Sequence, residues 1–258
     1  MLRPYEILFV FAATSCLFGN SDALTADRWS PTIIKFRDLS HRYEETFMRN
    51  LFSSVPRRKY SVQSINLDLT GMVLFTGSSS SGKSTLFKLI QEKIEPETGI
   101  VTIHSEGLPP APVCLDQKPL LGNGKRTLKE FIRDELGPQV EPNQTYLAYV
   151  ATLFGFSPWE LESTILQELS QSQVYNLSLI VASVKSSPCW DTGAPILLLD
   201  EWLDKEASTV IHGVQGKLET AAHNGALIGV ITHRPERWRG NYRNVVMSYG
   251  RLLEDNTE

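Results

Sequence analysis

The chain has 258 residues, a formal net charge of −4 and 41% hydrophobic residues, ample for one large α/β domain or two small ones. With no overall basic balance, nucleic acid is not expected as a main partner. The three cysteines, Cys16, Cys114 and Cys189, lack metal-ligand spacing and read as small buried apolar residues, not as a zinc site or a disulfide framework.

Residues 1–31 differ in character from the remainder of the chain. After Arg3 an apolar run of about a dozen residues extends from Ile7 to Phe18, too short to span a bilayer. Ser21-Asp22-Ala23 then offers small residues at the offsets of a cleavage site before Leu24. Residues 1–23 therefore read as a signal-like or targeting segment. The segment points to an organelle, such as a plastid reached by a two-step presequence, or to an uncleaved membrane-proximal anchor. The sequons at Asn143 and Asn176 matter only in the secretory lumen and read as accidental.

From Thr32 to Leu39 the pattern alternates as a strand does, followed by Ser40-His41-Arg42-Tyr43. Glu44–Tyr60, broken by Pro56, reads as a surface excursion, and its basic cluster Arg57-Arg58-Lys59 as solvated loop. Ser61–Leu69 is a second strand with Ile65, Leu67 and Leu69 on one face. Thr70-Gly71 turns the chain into Met72-Val73-Leu74-Phe75, a buried strand.

Next comes Gly77-Ser78-Ser79-Ser80-Ser81-Gly82-Lys83-Ser84-Thr85, with an amphipathic helix from Thr85 to Ile90 behind it. A glycine-rich turn between strand and helix brings backbone N–H groups and the positive helix end to one spot, which suits phosphate oxygens. Gly77 and Gly82 allow the tight turn and close backbone approach. Lys83 is spaced to reach β- and γ-phosphates, and Ser84 to ligate Mg²⁺.

Glu95–Gly99 makes a turn into a strand at Ile100–Ile103, and Pro109–Pro112 is a rigid spacer before a short strand, Val113–Pro119, that contains Gln117. Leu128–Leu136, Gln144–Leu153 and Leu161–Leu169 read as helices, the last opened by Ser157-Pro158 as cap and first turn. Leu177–Val184 continues helical, and Ser187-Pro188 with Asp191-Thr192-Gly193 marks a loop. Ala194–Leu199 is a continuously apolar strand closing in Asp200-Glu201. Val210–Ala222 is a helix, Ala226–Thr232 another buried strand ending at His233, and Asn244–Glu254 a hairpin turning at Tyr249-Gly250. At the carboxyl end of a central strand, Asp200 suits a metal, Glu201 can orient a water for in-line attack, and His233 can donate a hydrogen bond to a γ-phosphate.

In this order, over about Thr32 to Glu254, the pieces resemble the nucleotide-binding domain of ABC (ATP-binding cassette) proteins. The phosphate loop is similar to the Walker A, Ile196–Asp200 to the Walker B strand, Glu201 to the catalytic glutamate and Thr232-His233 to the switch histidine. Glu97–Val101 looks like the turn after the first helix. The resemblance implies that Tyr43, with Tyr60 as rival, stacks on adenine, and that Gln117 is the Q-loop glutamine that senses metal or water and faces a membrane partner. Ser170 would be the signature serine that meets nucleotide on an opposite subunit.

The implied fold is a P-loop NTPase of the α/β class with a RecA-like core sheet, an N-terminal antiparallel β subdomain and a helical insert. The ATPase domain would cover residues 32–255 and its helical subdomain about 120–184. The implied cofactors are ATP and Mg²⁺, with Ser84, Asp200 and Gln117 around the metal. The implied partners are a second ABC subunit, identical or paralogous, and a separate membrane permease. The chain also departs from the family pattern. Leu169-Ser170-Gln171-Ser172-Gln173 stands where relatives have Leu-Ser-Gly-Gly-Gln, Trp202 replaces a proline, Leu203-Asp204 comes early, and the Lys185–Gly193 loop is long. Those departures keep open a non-catalytic ATP-binding switch or assembly subunit. A P-loop kinase would need an acceptor site and an arginine-bearing lid, and neither is identified.

Overall fold

The structure, a computed structural model, describes residues 29–43, 60–116, 125–137 and 143–257. The signal-like segment 1–23, the Glu44–Lys59 excursion and Gln117 lie outside the described residues. The chain runs through β1 (Ile33–Arg42), β2 (Tyr60–Leu69), β3 (Met72–Thr76), α1 (Lys83–Ile90), β4 (Thr98–His104) and β5 (Val113–Leu115). It continues through α2 (Leu128–Leu136), α3 (Gln144–Leu153), α4 (Pro158–Ser163), α5 (Gln171–Ser186), β6 (Ile196–Asp200), α6 (Ser208–His223), β7 (Leu227–Ile231), β8 (Arg243–Ser248) and β9 (Arg251–Thr257).

Two sheets form. The smaller is antiparallel, in the order β2-β1-β4, and its strands alternate, with Ile34, Phe36, Val62, Leu67 and Leu69 turned into the core. The larger has the order β5-β6-β7-β3-β8-β9, parallel from β5 to β8 with β9 antiparallel at the edge. β3 and β7 are buried along their whole length and β6 up to Asp200, which explains their unbroken apolar sequences. The two sheets enclose α1, whose Leu86, Phe87, Leu89 and Ile90 join both strand sets in one core cluster. α1 lies so close to β7 that a Cβ at Gly229 would stand 3.1 Å from the Phe87 ring.

Register sets the consequence for function. Phe75 of β3 pairs with Ile231 of β7, and Asp200 of β6 pairs with the same Ile231. The carboxyl ends of three adjacent strands therefore lie in one row, where crossover connections leave loops free to carry side chains.

Helices α2 to α5 form a second layer between β5 and β6. Three of them start with reciprocal caps, Thr127 with Glu130, Ser157 with Glu160, and Ser170 with Gln173. The helix expected over Leu161–Leu169 stops at Ser163. Thr164 and Ile165 are extended, because Thr164 O accepts from Leu128 N (3.2 Å) and Leu166 N donates to Arg126 O (3.1 Å), tying the segment to the start of α2. A tertiary strand-like bridge thus overrides a helical period that two β-branched residues support weakly.

The packed core extends to residues just before Thr32. Trp29 is 4% exposed, donates to Tyr146 Oη at 3.2 Å and meets Tyr149 edge-on. Both sequon asparagines have structural roles: Asn143 caps α3, and Asn176 is buried in α5. Cys114 is a free thiol that burial pushes up to about 12. Cys189 is disulfide-bonded, which corrects its reading as a simple apolar filler.

Candidate functional site

The loop Gly77–Gly82 leaves β3 and enters α1 at the row of strand ends. Its two glycines are required by the protein's own backbone. At Gly77 (φ 133°) a Cβ would lie 2.0 Å from Met247 O of β8, and at Gly82 (φ 103°) 2.0 Å from Ser61 O of β2. No L side chain fits either place. Gly250, in the β8–β9 turn, adds a brace by donating its N–H to Ser81 O at 2.9 Å. The sequence assigns the glycines the task of approaching ligand but does not reveal these braces, since nothing local marks Ser61 or Met247 as neighbours of the loop.

Lys83, the first residue of α1, is 5% exposed. Its Nζ donates to Gly77 O (2.9 Å), Ser78 O (2.9 Å) and Ser81 Oγ (3.1 Å), so the ammonium sits inside the loop's curve. Burial holds its pKa below the ordinary lysine value, while the carboxylates of Glu201 and Asp200 act in the opposite direction. The side chains of Ser78, Ser79 and Ser80 remain exposed, and Thr85 is buried behind them. First-turn N–H groups of a helix have no intrahelical acceptor, so α1 contributes donors to the same concavity.

Ser84 Oγ donates to Asp200 Oδ1 at 3.3 Å. Burial raises the Asp200 pKa, the Ser84 hydrogen bond opposes that, and the carboxylates of Glu201 and Asp116 reinforce it. A hydroxyl beside a half-buried carboxylate is a donor set that suits a hard, oxygen-seeking cation such as Mg²⁺. Glu201 takes a left-handed backbone, φ 53°, held by its N–H donating to Ile231 O at 3.0 Å. That turn separates its side chain from Asp200, and its Oε1 lies 2.8 Å from His233 Nε2. A non-glycine residue in this region costs roughly 1 kcal/mol or more and is characteristic of functional positions.

Asp204 holds the histidine's backbone in place. Its carboxylate accepts from Thr232 Oγ1 (2.6 Å) and from His233 N (2.8 Å). In the sequence Asp204 stands out only for its spacing after Glu201. The usable signal was the need of the polar Thr232-His233 pair, just beyond a buried strand, for an acceptor.

Tyr43 follows β1, 44% exposed and edge-on to the His41 ring at 4.9 Å. It connects to the loop only indirectly: Ser61 Oγ donates to His41 O (3.0 Å), and Ser61 O is the atom packed on Gly82. Tyr60 opens β2, paired with Arg42. β5 ends at Leu115 opposite Leu199, one residue short of the Asp200 row, and Gln117 beyond it lies outside the described residues. Ser170 is not brought to the loop. It caps α5, with its Oγ accepting from Gln173 N and its N–H donating to Gln173 Oε1 at 2.9 Å.

The model of the ABC transporter family matches residues 62–204, more than half of the 258 residues. The chain belongs to the ABC transporter family. Solved structures agree in fold. MJ1267 in its ADP conformation, an ATP-binding cassette of an ABC transporter, shares 15% identity over 88% of this chain and 91% of that one, TM-score 0.62. A nucleotide-free ATP-binding cassette from an ABC transporter shares 14% over 88% and 91%, TM-score 0.58. The dimeric bacterial cassette MJ0796 shares 18% over 87% and 98%, TM-score 0.57. No curated protein matches the chain.

At the start of α5 the side chains of Gln171 and Ser172 turn toward their own chain. Gln171 Nε2 donates to Glu206 Oε2. Ser172 lies over Gly213 of α6, where a Cβ would stand 3.3 Å from the serine Cβ. Trp202 is 2% exposed and meets the Tyr175 ring edge-on at 4.7 Å.

Proposed function

We propose that this cassette binds and hydrolyses Mg-ATP within a dimer of cassettes and drives a separate partner, a membrane permease. The observation that carries this reading is the convergence of Lys83, the Ser84–Asp200 pair and the Glu201–His233 pair on the carboxyl ends of three adjacent strands. Lys83 would exchange the loop carbonyls for β- and γ-phosphate oxygens, a trade its three hydrogen bonds prepare geometrically. Ser84 and Asp200, with Gln117 as the further candidate, would hold Mg²⁺, which supplies charge neutralisation on the β- and γ-phosphates. Glu201 orients and polarises the attacking water, and His233, fixed by Asp204 at its backbone and by Glu201 at its ring, donates toward the γ-phosphate as negative charge develops. Tyr43 would carry the adenine ring. Ser170, at the capped start of α5, would meet nucleotide held by the second cassette.

No helix among the described residues is long and apolar enough to cross a membrane. The targeting role of residues 1–23 belongs to the same proposal. Calorimetric titration of ATP into the Lys83→Ala variant is the test. Affinity should fall roughly 10- to 100-fold, the value of a charge-assisted hydrogen-bond set, and unchanged affinity would contradict the placement of nucleotide in this loop. A folded protein that binds Mg-ATP without turnover would instead support the non-catalytic switch.

A further inference from the structure

The segment after Glu201 joins two places that lie far apart in sequence, the altered start of α5 and the switch histidine. Glu206 stands at its far end. One carboxylate oxygen accepts from Gln171 Nε2 and the other from Tyr175 Oη at 2.6 Å, so a single side chain grips the first and second turns of α5. Trp202 presses on the same Tyr175 ring from the near end of the segment. Arg237, in the short turn after β7, donates to the carbonyls of Asp204 (3.1 Å) and Glu206, and so holds the segment's backbone at two points. Asp204 in turn holds Thr232 and the His233 N–H, and His233 reaches Glu201.

From this unbroken series of contacts we infer that Glu206 and Arg237 are positioning residues, which make the geometry of Glu201 and His233 depend on the placement of the N-terminal turn of α5. Neither residue touches the strand-end site. They act through Asp204, a member of both the segment and the histidine clamp. Two departures from the family pattern, Gln171 and Trp202, thereby belong to one cluster, joined through Tyr175 and Glu206. Whatever meets the start of α5 acts on the catalytic pair of the same chain. This inference deepens the hydrolysis reading and rests on it, yet its structural part is measurable without turnover.

The experiment uses the full chain and follows amide hydrogen exchange at His233, whose N–H donates to Asp204. Glu206→Ala should speed that exchange about tenfold and Gln171→Ala, an exposed and mild change, about threefold, with the middle of α6 still protected. Glu206→Gln should stay near wild type, because its amide oxygen still accepts from Tyr175 and Gln171 can flip its own amide to pair with it. Turnover at saturating ATP should fall about tenfold in Glu206→Ala while KM stays within about twofold, the mark of lost positioning rather than lost binding. Unchanged His233 exchange in both alanine variants overturns the inference, even if turnover falls. Faster exchange in a protein whose wild type hydrolyses no ATP supports the coupling and counts against the hydrolysis reading alone.

Discussion

The strand-end loop and the start of α5 hold their residues by different means. At the loop, main chain packs on main chain: Gly77 against Met247 O and Gly82 against Ser61 O, each with no room for a Cβ. At the start of α5, side chains find room and partners within the chain, Gln171 on Glu206 and Ser172 over Gly213. Glycine is required at the loop by the packing of main chain on main chain, whereas Gln171 and Ser172 find partners for their side chains. The difference separates the half of a nucleotide site that one chain builds for itself from the half it would offer to a second.

From this contrast we expect a descending series of effects. The largest lies in the Glu201–His233 pair: on the proposed hydrolysis, Glu201→Gln should lower turnover roughly 10³-fold, in the range for loss of a general base, with ATP affinity retained; steady-state assays paired with titration calorimetry decide it. Gly82→Ala should cost roughly 3 kcal/mol in urea unfolding, from a left-handed backbone and a direct collision. An alanine tolerated there would erase the contrast.

Asp200→Asn tests the electrostatics of the strand ends. Burial raises the folded pKa of Asp200 above its ordinary 3.8. The folded state thus holds the proton more tightly, so the contribution to stability is full below that ordinary value and is lost as pH rises through the folded one. At pH 7 the asparagine variant should melt roughly 2 °C higher than wild type, and near pH 3 no higher. It should also lose Mg²⁺-dependent turnover, as sites that trade stability for function do. The smallest effect is expected at α5. Gln171→Gly should cost no more than about 1 kcal/mol, the helix penalty of glycine, in the same urea experiment.

Legibility followed the range of the physics involved. The apolar runs of β3, β6 and β7 and the hairpin turning at Tyr249-Gly250 were readable because period and turn chemistry are local. Lys83, Ser84, Asp200, Glu201 and His233 were readable because strand–loop–helix order places such residues at strand ends. The short α4 was not, since its end is decided by Thr164 and Ile165 pairing with the start of α2, far away in sequence. Asp204 as a backbone clamp, Gly250 as a brace and the grip of Glu206 on α5 likewise depend on contacts between distant segments. Trp202 and Gln171 stood out in the sequence as unrelated departures, and only packing around Tyr175 reveals their connection.

The most direct measurement is the mass in solution, by light scattering, of the full chain carrying Glu201→Gln, with and without Mg-ATP. We expect the 29.0 kDa chain to double its mass only with Mg-ATP, because the self-built half of the site binds nucleotide and the capped start of α5 then closes over it from a second copy. Saturated ATP binding by a protein that stays monomeric would contradict closure between identical chains and leave this cassette to a paralogous partner or to the switch role.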